Sequence, residues 1–253
     1  MYRKCPKCGY ERQASDAAPA DQCPACGLLF EKWLKHRFRQ PEDEAPMSRP
    51  VGRRVREGLR LLPALLLEYP AAQERFVLVA RGVLLLLLAV WGWQFLAMDH
   101  RQLSGGLPQI NSSFLHGVNL VFHEAGHILF IPFGDFLTVL GGSLMQLMVP
   151  AVVVGAFLYR RDPFAAAVGW WWLGQSLMDL APYIHDARRG EMILLGGVTG
   201  QDRPGYHDWS NLLGRTGLLE YDHTLAAFVN GLGVLVLLSA LVWGGVVIWR
   251  NWR

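Results

Sequence analysis

Hydrophobic and polar positions divide the chain into two unlike parts. Residues 1 to about 60 are polar and punctuated by cysteine, glycine and proline, whereas from Phe76 onward long apolar runs follow one another with polar interruptions. A helix needs roughly 20 apolar residues to cross a bilayer core. Five runs meet that length, at 76–98, 114–133, 136–159, 164–184 and 225–249, and they predict five membrane-spanning helices. Only Gly134 and Asp135 separate the second run from the third, so these two predict a tight hairpin, with Pro132 ending the second. Residues 59–69 are apolar but short and broken by Pro63, a pattern suited to lying on the membrane surface.

With 52% hydrophobic residues and 18% charged ones among 253, the chain is too apolar for an ordinary soluble domain. The net charge of +3 hides an uneven distribution. Arg49, Arg53, Arg54, Arg56 and Arg60 cluster just before the first span, which predicts a cytoplasmic amino-terminal side. Anionic headgroups account for that cluster, so nucleic acid is not an expected partner and the lipid bilayer is. The first apolar run starts near Phe76, so no secretory signal is expected ahead of it. Alternating five spans from a cytoplasmic start carries Arg160, Arg161, Arg250 and Arg253 to the outer side, against the positive-inside rule. Either one run is re-entrant or split, or the upstream cluster dominates insertion.

All four cysteines fall in two near-identical knuckles, Cys5-Pro6-Lys7-Cys8-Gly9 and Cys23-Pro24-Ala25-Cys26-Gly27, fourteen residues apart. Each turn lets two thiolates converge, and four thiolates close a tetrahedral site with no position left for water, so the metal expected there is structural. The pair resembles the zinc-ribbon family over about residues 1 to 30, which implies zinc; iron in a rubredoxin-like site is the competing reading. The expected organisation is a zinc ribbon at 1–33, a polar linker and interfacial segment at 34–75, and a multi-span membrane domain at 76–253. The fold class is then mainly α: a polytopic α-helical membrane protein of about five spans with a small amino-terminal zinc ribbon.

His123-Glu124-Ala125-Gly126-His127 places two imidazoles and a carboxylate inside the second apolar run. Histidines at i and i+4 project from one helix face one turn apart and can bind one metal, while the intervening Glu can polarise a water on it. His116, Asn119, His123 and His127 form one polar stripe, as expected of a helix that turns a wet face inward. The alternative is that these histidines only hydrogen-bond to neighbouring helices. A hydrolytic zinc needs a third protein ligand and an open position. Asp179 is the first candidate, a carboxylate inside an apolar run with Gln175 one turn before it and Pro182 loosening the helix after it. His185, Asp186 and His207 are its rivals, and His207 beside Asp208 could instead shuttle protons or touch substrate. Gly141-Gly142-Ser143, with Gln146 and Pro150, permits either close helix packing or an unwound strand for an extended substrate.

An H-E-x-x-H on one membrane helix followed by an Asp on a later one resembles the site-2 protease family of intramembrane metalloproteases, over about residues 114 to 186. The resemblance implies that His123, His127 and Asp179 hold a catalytic zinc and that Glu124 is the general base. It implies cleavage of peptide bonds in or near transmembrane segments of a membrane-protein substrate. The ribbon's placement suggests that it recruits a cytoplasmic partner. A membrane scaffold without catalysis, carrying a structural zinc ribbon, is the alternative from a different class.

Overall fold

A computed structural model describes residues 3–37 and 62–252. The Arg49 to Arg60 cluster and most of the expected linker lie outside the described residues. The chain divides into two compact units, Met1–Gly58 and Leu59–Arg253.

In the first unit each knuckle closes on itself. The amide of Gly9 donates to the carbonyl of Cys5 and that of Gly27 to Cys23, both at 3.0 Å. Two isolated bridges, Lys4 with Glu11 and Gln22 with Leu29, pair the chain on either side of each knuckle. Helix α1, Phe30–Arg37, follows, and Phe30 packs against Cys5 and Cys23.

The second unit is built almost wholly of helices. These are α2 (Arg75–Ala97), α3 (Phe114–Phe130), α4 (Asp135–Tyr159), α5 (Pro163–His185), α6 (Asp208–Thr216) and α7 (Asp222–Asn251). A two-residue hairpin, β1 (Leu103–Ser104) with β2 (Leu107–Pro108), lies between α2 and α3. Among the described residues four helices are long and apolar enough to cross a membrane: α2, α3 with its 3-10 extension, α4, and α7 with the turn before it. That is the signature of a multi-pass membrane protein. Their outward residues, such as Phe76, Val121, Val152 and Phe228, are large and apolar, as lipid-facing residues must be.

The fifth expected span forms α5, equal in length to α2 but the most enclosed of the long helices, with sixteen of its 23 residues buried. Leu88 and Phe95 of α2, Trp171 and Met178 of α5, and Leu237 and Ala240 of α7 make the main apolar core. α5 and α7 touch backbone to backbone: a Cβ on Gly174 would stand 2.6 Å from the amide nitrogen of Leu237. Gly126 and Gly141 do the same for α3 and α4, where a Cβ on Gly141 would stand 2.8 Å from the Gly126 carbonyl. The Gly141-Gly142-Ser143 segment is therefore a helix-packing surface inside continuous α4, not an unwound strand.

The two ends of the helical unit are tied by different contacts. At one end Tyr69 donates to Asp162 between α4 and α5, Arg81 pairs with the same carboxylate, and Asn251 of α7 donates to the carbonyl of Leu67. At the other end His185 stacks on His223 with ring centroids 4.0 Å apart, His100 meets His185 edge-on, and Arg188 bonds Asp222 at 2.8 Å. The β hairpin and the long loop after α5 also lie there, joined by the Ile193 amide donating to the Gly106 carbonyl.

Candidate metal centres

The four cysteine sulfurs lie within 4.8 Å of one another and form no disulfide. Two cross-knuckle separations are 3.8 Å (Cys5 to Cys26) and 3.7 Å (Cys8 to Cys23). A tetrahedron of thiolates about 2.3 Å from a central ion has edges of about 3.8 Å, so the cage fits a metal of that size. Its electrostatics ask for a cation. Burial opposes ionisation of Cys5, but the amides of Cys8 and Lys7 bring its thiol down to about 6. The amide of Tyr10 favours the Cys8 thiolate, yet burial and the other three sulfurs push it up to about 12.

The second centre starts with α3. Ser113 caps the helix, its hydroxyl accepting from the Leu115 amide, and the stripe Asn119, His123 and Gly126 turns inward while Phe114, Val121 and Ile128 face out. One nitrogen of each motif histidine converges with the carboxylate of Asp208: the Nε2 atoms of His123 and His127 lie 2.9 and 3.2 Å from its Oδ2. These three are the second metal-capable group among the described residues.

Asp179, the first choice of third ligand from the sequence, lies outside that group, and Asp208 stands in it instead. Its carboxylate is already occupied by amide and imidazole donors, accepting from Asn119 Nδ2 (3.1 Å) and Gln146 Nε2 (3.2 Å) and facing His116 Nδ1 (3.0 Å). Gln175 extends the same network as acceptor for Asn119 at 2.9 Å. Of the rival ligands, His185 stacks on His223, and Asp186 accepts from the amides of Glu191 and Met192. His207 is fully buried, caps α6 through Nδ1, and turns Nε2 to within 3.4 Å of Asp186. These last two residues fold the loop after α5 so that the next residue, Asp208, lands beside the motif. Tyr183 steadies it there, its hydroxyl accepting from the Asp208 amide at 2.9 Å. Burial would raise the Asp208 carboxyl, but hydrogen bonds from the two imidazoles hold it down at about 2.

The outer contacts fix which nitrogens point inward. His127 Nδ1 faces the main-chain carbonyl of Thr138 at 2.9 Å, which can only accept, so Nδ1 carries a proton. For His123 the same follows through Gln146. Asp179 and the Ser176 carbonyl only accept, so the Gln146 NH₂ group faces them and its Oε1 faces His123 Nδ1 at 3.1 Å. Both histidines therefore hold a proton on Nδ1 and can offer an Nε2 lone pair to the same point as the Asp208 carboxylate. Hydrogen bonds of this kind orient metal-binding histidines and raise their basicity. Without the Nε2 protons that bond to Asp208, these three donors repel one another unless a metal cation lies between them. Gly142 keeps that space open, because a Cβ there would stand 2.6 Å from Nε2 of both histidines. The donor set and the space fit a bound divalent ion.

A cavity of about 510 Å³ opens beside these three residues. Glu124 and His116 line it, with Leu107 of the hairpin and Ile193, Leu195 and Tyr206 of the long loop. The sequence pointed to His123, Glu124 and His127 and named Asp208 only as His207's neighbour; it gave no part to Tyr183 or to Gln146 as a partner of His123. The one available signal for Asp208 was an acid opening a short amphipathic helix in an otherwise irregular loop. Comparison with protein-family models, with curated proteins and with solved structures finds no match to this chain.

Proposed function

We propose that the protein is an intramembrane zinc metalloprotease of the site-2 protease kind, with a structural zinc ribbon on its cytoplasmic amino-terminal side. The observation that carries the reading is the convergence of His123, His127 and Asp208 on one point at the wall of a cavity that Glu124 also lines. Two imidazoles and one carboxylate leave a fourth position free, the arrangement of catalytic and not structural zinc. A zinc ion held there supplies a Lewis acid that polarises a carbonyl and makes water nucleophilic near neutral pH.

The chain's own residues do the rest. Glu124 accepts the proton that water gives up as its oxygen bonds to the peptide carbonyl carbon. It then returns that proton to the departing nitrogen as the C–N bond breaks. The apolar wall formed by Leu107, Leu120, Ile193 and Leu195 suits hydrophobic side chains of an unwound transmembrane segment. A helix shields its own carbonyls, so the substrate must be locally extended to react.

Glu124→Gln tests the reading. Co-expressed with a library of membrane-anchored reporters, the wild-type chain should release fragments and the variant should release none while retaining its metal. A variant that processes as wild type does, or a wild-type chain that cleaves nothing in the library, assigns the protein to the scaffold class instead.

A further inference from the structure

The path of the chain says which face of the membrane the site serves. Tyr69, Arg81, Asp162, Leu67 and Asn251 lie together, so the start of α2, the turn between α4 and α5, and the finish of α7 share one end. α4 therefore finishes at that end. It is 25 residues long, about 38 Å at 1.5 Å per residue, so it begins at the other. Its neighbours agree. Gly169 of α5 packs on Val153 and Val154, and Gln146 reaches Ser176, as an antiparallel pair requires. After the β hairpin the chain turns inward, Ile110 and Leu115 packing in the core with Trp171 and Met178, and α3 then returns to the second end, where His127 meets Thr138 near the start of α4. The turn between them is made by Gly134, whose φ of +91° few other residues adopt.

We infer that the segment from the β hairpin through α3 enters and leaves the membrane on one side, that α2, α4, α5 and α7 are the four crossing helices, and that the metal site opens on the face opposite the start of α2. This rests on the protease reading for its function but not for its geometry. It resolves the charge conflict of five alternating spans. Arg75, Arg160, Arg161 and Arg250 now flank helices at one end, and the Arg49 to Arg60 cluster precedes α2 in the sequence, which makes that end cytoplasmic. The other end carries Arg101, Arg188, Arg189, Arg203 and Arg215, of which Arg101 and Arg188 pair with Asp99 and Asp222, so it is the cluster ahead of α2 that tips the balance. The cavity is walled by the hairpin and by the loop after α5, both at this outer end. The substrate class follows: membrane proteins cut at the extracytoplasmic side of a transmembrane segment.

Labelling of intact cells with a membrane-impermeant maleimide tests this without any activity. Glu191→Cys, exposed in the loop after α5, and Arg160→Cys, exposed between α4 and α5, are made singly in the full chain. Glu191→Cys should label in intact cells, while Arg160→Cys should label only after permeabilisation. Arg160→Cys labelling from outside with Glu191→Cys protected would mean five crossings or an inverted chain, and either overturns the inference. Labelling at both positions, or at neither, also overturns it. Failure of the protease reading shows separately, as an absence of cleavage with the labelling pattern unchanged.

Discussion

The carboxylate of Asp208 lies 2.9 Å from Nε2 of His123, a residue 85 positions earlier in the chain. A side chain at ligand position and one that supports a ligand should respond differently to removal. Asp208→Ala should cost more metal affinity than the about 10- to 100-fold typical of outer contacts, and Asp179→Ala should stay within that range. Asp179→Ala should instead loosen the fold, because it strands the amides of Asn119 and Gln146 without their acceptor. Titration of the full chain in detergent with cobalt reads both sites. Thiolate charge-transfer bands report the ribbon, and ligand-field bands without them report the membrane site.

Gln146 gives the sharper contrast. Gln146→Met fills the same space without an acceptor, so His123 is free to put its proton on Nε2 and metal affinity should fall about 10- to 100-fold. Gln146→Glu keeps an acceptor toward His123 and should bind metal better than the Met variant. Were packing all that mattered, the order would reverse, since a second carboxyl beside Asp179 is the more disruptive change. Nitrogen chemical shifts of the His123 ring in metal-free protein check the proton's place directly.

Gly142→Ala should abolish metal binding at the membrane site, because its methyl group would stand 2.6 Å from both Nε2 atoms. Gly155→Ala on the same helix meets nothing within 4 Å and should bind as wild type does. Equal affinities for the two variants would show that the space beside Gly142 is not the ion's.

Cys8→Ser should remove one metal per chain and leave the ligand-field bands of the membrane site unchanged. A closed four-thiolate cage tolerates no missing corner, and a unit this small relies on its ion for folding. Elemental analysis of wild type and variant gives the difference.

Much of the fold was legible because its signals are local. Apolar runs of spanning length, the knuckles and the i, i+4 histidines each need only a few neighbouring residues to be recognised. The path of 114–133 was not, because an apolar run of that length reads the same whether it crosses the bilayer or returns. Asp179 was attractive for a sound reason, that an acid inside an apolar helix needs a partner. Its partners are Asn119, Gln146 and His116, and nothing in the spacing of residues 114–179 distinguishes amide donors from an ion. Asp208 was hidden because its position depends on how the loop after α5 folds back, through Asp186, His207 and Tyr183, none of which carries a periodic signal.

The buried contact between His207 and Asp186 gives the loop after α5 a second meaning. The segment that walls the cavity and the residue that completes the three-donor set are one continuous piece of chain. On the protease reading, lifting that wall for a bulky polypeptide would carry Asp208 away from His123 and His127. Opening the wall and keeping the three donors together are, on that reading, opposed demands, which favours a thin, extended segment over a folded helix.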